Sequence, residues 1–153
     1  MVWGLILKLS TKGRYGARAM LDLALHYGEG PVSVKDIAER QEVSERYLVH
    51  LMASLKAAGL VKSMRGARGG FILAKAASQI RLSEIVQIVE GSIAPVECVD
   101  NPKACSRSER CVTRDIWTEM NKAMGKVLES TTLEDLAQRQ REKEKREPAM
   151  YYI

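Results

Sequence analysis

No apolar run in the 153 residues approaches the roughly 20 needed to cross a bilayer, so membrane insertion is not expected. Histidine is scarce: His26 and His50 both lie far in sequence from the three cysteines, leaving no thiol nucleophile beside a general base. That argues against a thiol-based enzyme. Cysteine is odd in number and confined to one stretch, a poor framework for disulfides, and the apolar residues 1–9 have neither a basic lead nor a cleavage site. A reducing, cytoplasmic location is the expectation. The length suits one packed domain, or a small domain with an oligomerising arm, and excludes a large multidomain enzyme.

What is present is unevenly charged. The net charge is +5, but residues 1–80 hold 12 Lys/Arg against 6 Asp/Glu while residues 81–153 hold 12 against 13. The first half therefore suits a polyanion partner and the second does not.

Helical periodicity dominates the basic half. From Lys12 onward Tyr15, Ala19, Leu23 and Tyr27 recur at helical spacing, with Met20 and Ala24 beside them, until Gly28-Glu29-Gly30-Pro31 breaks the pattern. Ser33 followed by Asp36 resembles a capping box and opens a short helix with Val34, Ile37 and Ala38 inward, ending near Gln41. Ser44 caps the next, in which Leu48, Leu51, Met52 and Leu55 face the core and Glu45, Arg46, Val49, His50 and Ala53 face solvent. Gly59 supplies the stop. Two helices in this order read as a helix-turn-helix, the second aimed at a major groove about 12 Å wide.

Residues 60–64 and 71–73 are short apolar runs on either side of Arg65-Gly66-Ala67-Arg68-Gly69-Gly70, a hairpin with a doubly cationic tip. Directly after a capped reading helix, this hairpin has the place of a wing. The expected contacts are Arg46 and His50 at base edges, Ser44 at a phosphate, Tyr47 either at a phosphate or in the core, and Arg65 and Arg68 in a minor groove.

Leu82, Ile85, Val86 and Val89 form one more buried face, after which residues 91–111 show no sustained period. From Val112 two apolar rows run side by side, Ile116-Met120-Ala123-Val127 and Trp117-Met124-Leu128, a stripe wide enough to pack on its own domain and on a second subunit. Thr132 to Asp135 suits a final cap. The expected division is a winged helix-turn-helix domain at 7–90, a cysteine loop at 91–111, a dimerisation helix and following helix at 112–137, and a charged, flexible tail at 138–153, in which Arg139 to Glu147 reads as a frayed helix or disordered stretch that Pro148 ends. The fold class is mainly α.

Cys98, Cys105 and Cys111 fall within fourteen residues. Structural zinc sites use closer pairs and a full set of four ligands, which this stretch lacks. Iron–sulfur ligation, redox-active thiols and unpaired cysteines remain open on spacing alone.

Larger blocks narrow the choice. Leu9-Ser10-Thr11-Lys12-Gly13-Arg14-Tyr15-Gly16, Asp36-Ile37-Ala38-Glu39-Arg40-Gln41, Tyr47-Leu48, the wing through Phe71, and Cys111-Val112-Thr113-Arg114-Asp115-Ile116-Trp117 together resemble the IscR-type iron–sulfur regulators over residues 7–137. The resemblance implies a homodimeric winged-helix repressor acting upstream of cluster-assembly operons. Its cysteines would bind a [2Fe-2S] cluster, with [4Fe-4S] as the other nuclearity, and its partners would be double-stranded operator DNA and cluster-donor proteins.

Three positions depart from that family. Its enterobacterial members complete the ligand set with a histidine three residues after the last cysteine, where this chain has Arg114, a cation that cannot bind iron. Asp115 is the carboxylate put forward as fourth ligand; Glu97, Asp100, Glu109 and an acid from the partner subunit's first helix are alternatives, and His26 and His50 are weaker ones. An acidic residue that helps cluster-free relatives reject the holo-type site is replaced by Val49, so weaker or different discrimination is expected. Leu7 stands where family members begin, which would make the residues before it an extension. The competing expectation is a winged-helix regulator that senses thiol oxidation or a small effector without a cluster.

Overall fold

Serine and threonine hydroxyls start most of the longer helices. In the computed structural model, which describes residues 8–147, Ser10 Oγ accepts the Lys12 N–H at 3.2 Å and opens α1 (Thr11–Leu25). Ser33 Oγ accepts the Asp36 N–H at 3.1 Å to open α2 (Val34–Gln41), and Ser44 Oγ accepts the Tyr47 N–H at 3.3 Å to open α3 (Glu45–Ala57). Glu42, with φ 55°, makes the left-handed turn between α2 and α3. The expected inward rows hold: Ala19, Met20, Leu23, Ile37, Leu48, Leu51, Met52 and Leu55 are all buried. Tyr27 is not among them. It is 68 % exposed, because α1 stops at Leu25 and Gly28, at φ 86°, turns the chain away before the stripe can continue.

An ion pair between the buried Asp22 and the exposed Arg40 joins α1 to α2. Arg40 Nε and Nη2 donate to the two carboxylate oxygens of Asp22 at 2.9 and 2.7 Å, and Gln41 Nε2 donates to the same carboxylate at 3.0 Å. Asp22 is 1 % exposed, so these donors replace the water its carboxylate loses on burial. The hydrogen bond and the charge of Asp22 hold the Arg40 pKa above its ordinary value.

Strands β1 (Val61–Met64) and β2 (Gly70–Leu73) pair antiparallel, from Val61 opposite Leu73 to Met64 opposite Gly70. A third segment joins them, since Val32 and Phe71 exchange two backbone hydrogen bonds at 2.9 and 2.8 Å. This bridge anchors the wing to the entry of α2. A Cβ on Gly70 would run into the Val32 carbonyl and one on Gly69 into the Met64 carbonyl, which is why glycine stands at both.

Helix α4 (Leu82–Val89) lies across α1, with Val89 so close to Gly16 that a Cβ there would sit 2.9 Å from Val89 Cγ2. Glu90, at the end of α4, accepts from Ser10 N–H at 3.0 Å, Ser10 Oγ at 2.6 Å and Gly13 N–H at 2.9 Å. Burial pushes the Glu90 carboxyl up, but these bonds outweigh it and hold its pKa below the ordinary range. The Glu84 pKa is also lowered, first by the Arg81 N–H at 2.8 Å and then by Lys75 at 3.0 Å. A depressed carboxylate contributes stability that is complete above its unfolded pKa, about 4.3, and is lost as pH falls through the folded value. Urea unfolding between pH 3 and 6 should therefore show a shallower acid limb in Glu90→Gln than in wild type. An unchanged limb would contradict this role.

After α5 (Glu97–Asp100), the long α6 (Val112–Ser130) runs beside α4 and α5, and none of its residues is buried. Its outer row is open, with Val112, Ile116 and Val127 at 75, 52 and 63 % exposure. The chain then returns to the core: Leu133 N–H donates to the Ile80 carbonyl at 2.8 Å, Leu82 N–H to Thr131 at 2.9 Å, and Leu133 is fully buried. Thr132 caps α7 (Leu133–Arg146), which packs on α1.

The charged stretch from 138, expected as a frayed helix or a disordered tail, is helical as far as Arg146 and forms the solvated half of α7. Gln138 to Glu142 and Gln140 to Glu144 pair one turn apart, and Lys143, Lys145 and Arg146 complement the negative end of the helix dipole. The expectations placed on Leu7 and Pro148 fall outside the described residues. Among those described, no helix is long and apolar enough to cross a membrane.

Candidate nucleic-acid interface and cysteine loop

With Leu48, Leu51, Met52 and Leu55 turned inward, helical geometry sends Glu45, Arg46, Val49, His50 and Ala53 outward, and all five are exposed. Arg46 and His50, one turn apart, form the polar part of this face. Ser44 is exposed too; its oxygen is used as the cap while its hydroxyl proton is left free for an outside acceptor. Arg65 and Arg68 are exposed at the wing tip.

Tyr47 packs partly buried against the core. Its ring meets Tyr15 edge-on with centroids 6.0 Å apart, while its hydroxyl lies 3.0 Å from Thr11 Oγ1 at the surface. The first turns of α1 and α3 are thus joined. Beside this junction the exposed Lys12 and Arg14 extend the cationic surface, an extension that α1's inward stripe did not signal. Arg18, also exposed, is taken up by the chain's own groups, donating through Nε to Gln41 Oε1 at 3.0 Å and through Nη2 to the Gln41 carbonyl at the end of α2. Its guanidinium also lies 5.5 Å from the Tyr15 ring centroid.

The stretch without periodicity is ordered by local side-chain bonds. Ser92 donates its hydroxyl to the Asp100 carboxylate, Asn101 caps a short 3-10 turn at Pro102–Ala104, and the buried Ser108 hydroxyl lies 2.6 Å from the Pro102 carbonyl and 2.9 Å from that of Cys105. Cys98 on α5 is half-buried, Cys105 is exposed, and Cys111 is half-buried at the N-cap of α6. Arg114 Nε donates to the Cys98 carbonyl at 3.0 Å, tying α5 to the first turn of α6. The residue that replaces the family's histidine therefore positions a cysteine-bearing segment.

The Cys111 pKa is held below the ordinary thiol value, chiefly by the Thr113 hydroxyl 3.1 Å from its Sγ and then by the Arg114 N–H, with the Asp115 carboxylate opposing. Asp115 is exposed in the first turn of α6. Among the described residues no three His, Cys, Asp or Glu side chains stand close enough to hold a metal ion, so this conformation does not gather Cys98, Cys105, Cys111 and Asp115 at one point.

Comparison with known proteins places these features together. The family model Rrf2, described as an iron-dependent transcriptional regulator, matches residues 9–139. The transcriptional regulator CymR of Bacillus subtilis is 45 % identical over 86 % of this chain and 90 % of its own. Its structure, described as that of the global cysteine regulator, superposes with a TM-score of 0.73 at 44 % identity, covering 87 % of this chain and 98 % of that one. IscR of Photorhabdus laumondii is 40 % identical over 88 % of this chain and 81 % of its own. The T. potens IscR structure superposes with a TM-score of 0.77 at 45 % identity, covering 95 % and 97 % of the two chains. With its helix-turn-helix, wing and whole-length similarity, the chain belongs to the Rrf2 family of DNA-binding transcriptional regulators.

Proposed function

We propose that the protein is a homodimeric repressor of iron–sulfur assembly genes whose DNA recognition responds to a cluster, [2Fe-2S] or else [4Fe-4S], held by Cys98, Cys105 and Cys111. The observation that carries this reading is the placement of three free thiols on one loop between α4 and the long α6. The donor chemistry fits: thiolates are the usual ligands of iron–sulfur clusters, and Cys111 is already inclined to ionise. Asp115, one turn beyond Cys111, is the proposed fourth ligand. When bound, the cluster would supply an iron- and redox-sensitive crosslink of the loop. The chain's own residues do the remainder: Arg114 holds α5 to α6, α6 pairs two subunits, and Arg46, His50, Arg65 and Arg68 meet DNA.

The similarity to IscR supports this reading, as does the family's description. Its test is the affinity of cluster-loaded and cluster-free protein for the same operator. Unequal affinities are expected, and equal affinities at every site would remove the switch. Arg46→Ala should cost roughly 1–3 kcal/mol of binding and relax preference at one base position. Arg65→Ala, which withdraws a wing cation from the minor groove, should weaken binding with little change in base preference and lower the salt slope by about one. A uniform loss from Arg46→Ala would contradict base reading.

A second reading has its own observation. The ionisable Cys111 and the 45 % identity to CymR favour a thiol switch on the same scaffold, without a cluster. Operator binding that changes with thiol oxidation in iron-free protein would support it.

A further inference from the structure

We infer that Glu90 is a positioning residue through which the state of the cysteine loop reaches the recognition helix, an inference that rests on the sensing reading above. The loop begins one residue after it. Gly91, at φ 81°, makes the turn, and the Ser92 hydroxyl then donates to Asp100 on α5, the helix that carries Cys98. A hydrogen-bonded route thus leads from a cysteine-bearing helix back to the hinge at Gly91.

On the other side Glu90 grips α1. Its carboxylate holds Ser10 N–H, Ser10 Oγ and Gly13 N–H, so two backbone donors at the start of α1 have their acceptor on α4. Val89 against Gly16 leaves little slack between the same two helices, so the first turn of α1 should follow Glu90. That turn carries Thr11, whose hydroxyl lies 3.0 Å from the Tyr47 hydroxyl in the first turn of α3. Movement of Glu90 thereby reaches Arg46 and His50.

The loop side of this latch has room to move. A groove of about 350 Å³, with Leu9, Glu90, Ser92, Ile93, Met124 and Leu128 in its lining, lies between the segment that enters α1, the loop and α6, so Glu90 stands at its edge. Rearrangement of residues 92–94 therefore meets open space, whereas the α1–α4 contact does not yield. A change in the loop is transmitted through Glu90 to α1 and is not absorbed there.

Two measurements test the relay in separate ways. In cluster-free protein, Glu90→Ala should raise amide exchange at residues 12–14 and also at 47–49, across the Thr11–Tyr47 junction. An increase confined to 12–14 would overturn the relay. Ser92→Ala leaves the α1 cap intact, so it should keep the operator affinity of cluster-free protein while the loaded-to-free affinity ratio falls toward one from a wild-type value on the order of 5- to 150-fold. Loss of packing alone would weaken both forms together. A wild-type ratio in Ser92→Ala at equal iron content would also overturn the relay. Should wild type itself give a ratio of one, the sensing reading fails separately, and the exchange result still decides the coupling.

Discussion

Asp22→Ala is expected to lower the unfolding free energy by about 1.5–3 kcal/mol, the usual worth of hydrogen bonds to a charged group, because the Arg40 side chain it leaves behind is 38 % exposed. Asp22 is 1 % exposed and receives Arg40 through two bonds and Gln41 through a third, so the substitution strands several donors at the α1–α2 contact. A loss of that size is a large fraction of the roughly 5–15 kcal/mol that stabilises a typical domain. The consequence extends to the reading head, because α2 positions α3. Denaturant unfolding should show a lower midpoint, with Arg40→Ala also destabilising since it leaves the buried carboxylate with only the Gln41 amide at 3.0 Å and the His26 ring at 3.5 Å beside it. A change below about 1 kcal/mol for Asp22→Ala would mean that the pair is not an anchor of the fold.

Ile116→Glu should convert the protein to a monomer and reduce affinity for a two-half-site operator by roughly 10²- to 10⁴-fold, the range lost when linked binding becomes single. Ile116 lies in the outer row of α6, 52 % exposed, between Val112 at 75 % and Val127 at 63 %. Apolar side chains left open along one helix face are what a second subunit would cover. Since the side chain is half in water within one subunit, a carboxylate there leaves the subunit's own core intact. Sedimentation velocity and binding to one-site and two-site DNA would measure both effects. A variant that stays dimeric with wild-type DNA affinity would remove α6 from the interface.

How far the fold could be read in advance depended on the range of the interaction. Ser33, Ser44 and Thr132 announce helices because the cap and the amide it serves lie within three residues. The inward rows of α1 to α4 were legible from helical spacing, except where the α1 row was carried through Gly28 to Tyr27. Glu90 and Ser10, by contrast, are 80 residues apart, and Asp22 and Arg40 are 18 apart. Neither pair leaves a local pattern, so the capping of α1 from α4 and the anchor of α2 emerge only once the chain is folded.

The site divides in the same way. The outward face with Arg46 and His50 follows from the inward one, and the wing follows from its glycines and arginines. Tyr47's hydroxyl contact with Thr11 and Arg114's bond to the Cys98 carbonyl depend on tertiary placement. The charged end of α7 left helix and tail both open for a different reason: lacking an apolar face, it is carried by side-chain pairs and by the docking of Leu133 and Ala137 at its start.

The central claim, a cluster on the cysteine loop, is tested most directly by anaerobic purification with iron and sulfide counts and a visible spectrum, repeated for Cys98→Ala, Cys105→Ala and Cys111→Ala. The expected result is a coloured protein with about two irons and two sulfides per chain, bleached by each substitution. A colourless, iron-free protein that still binds its operator would contradict it.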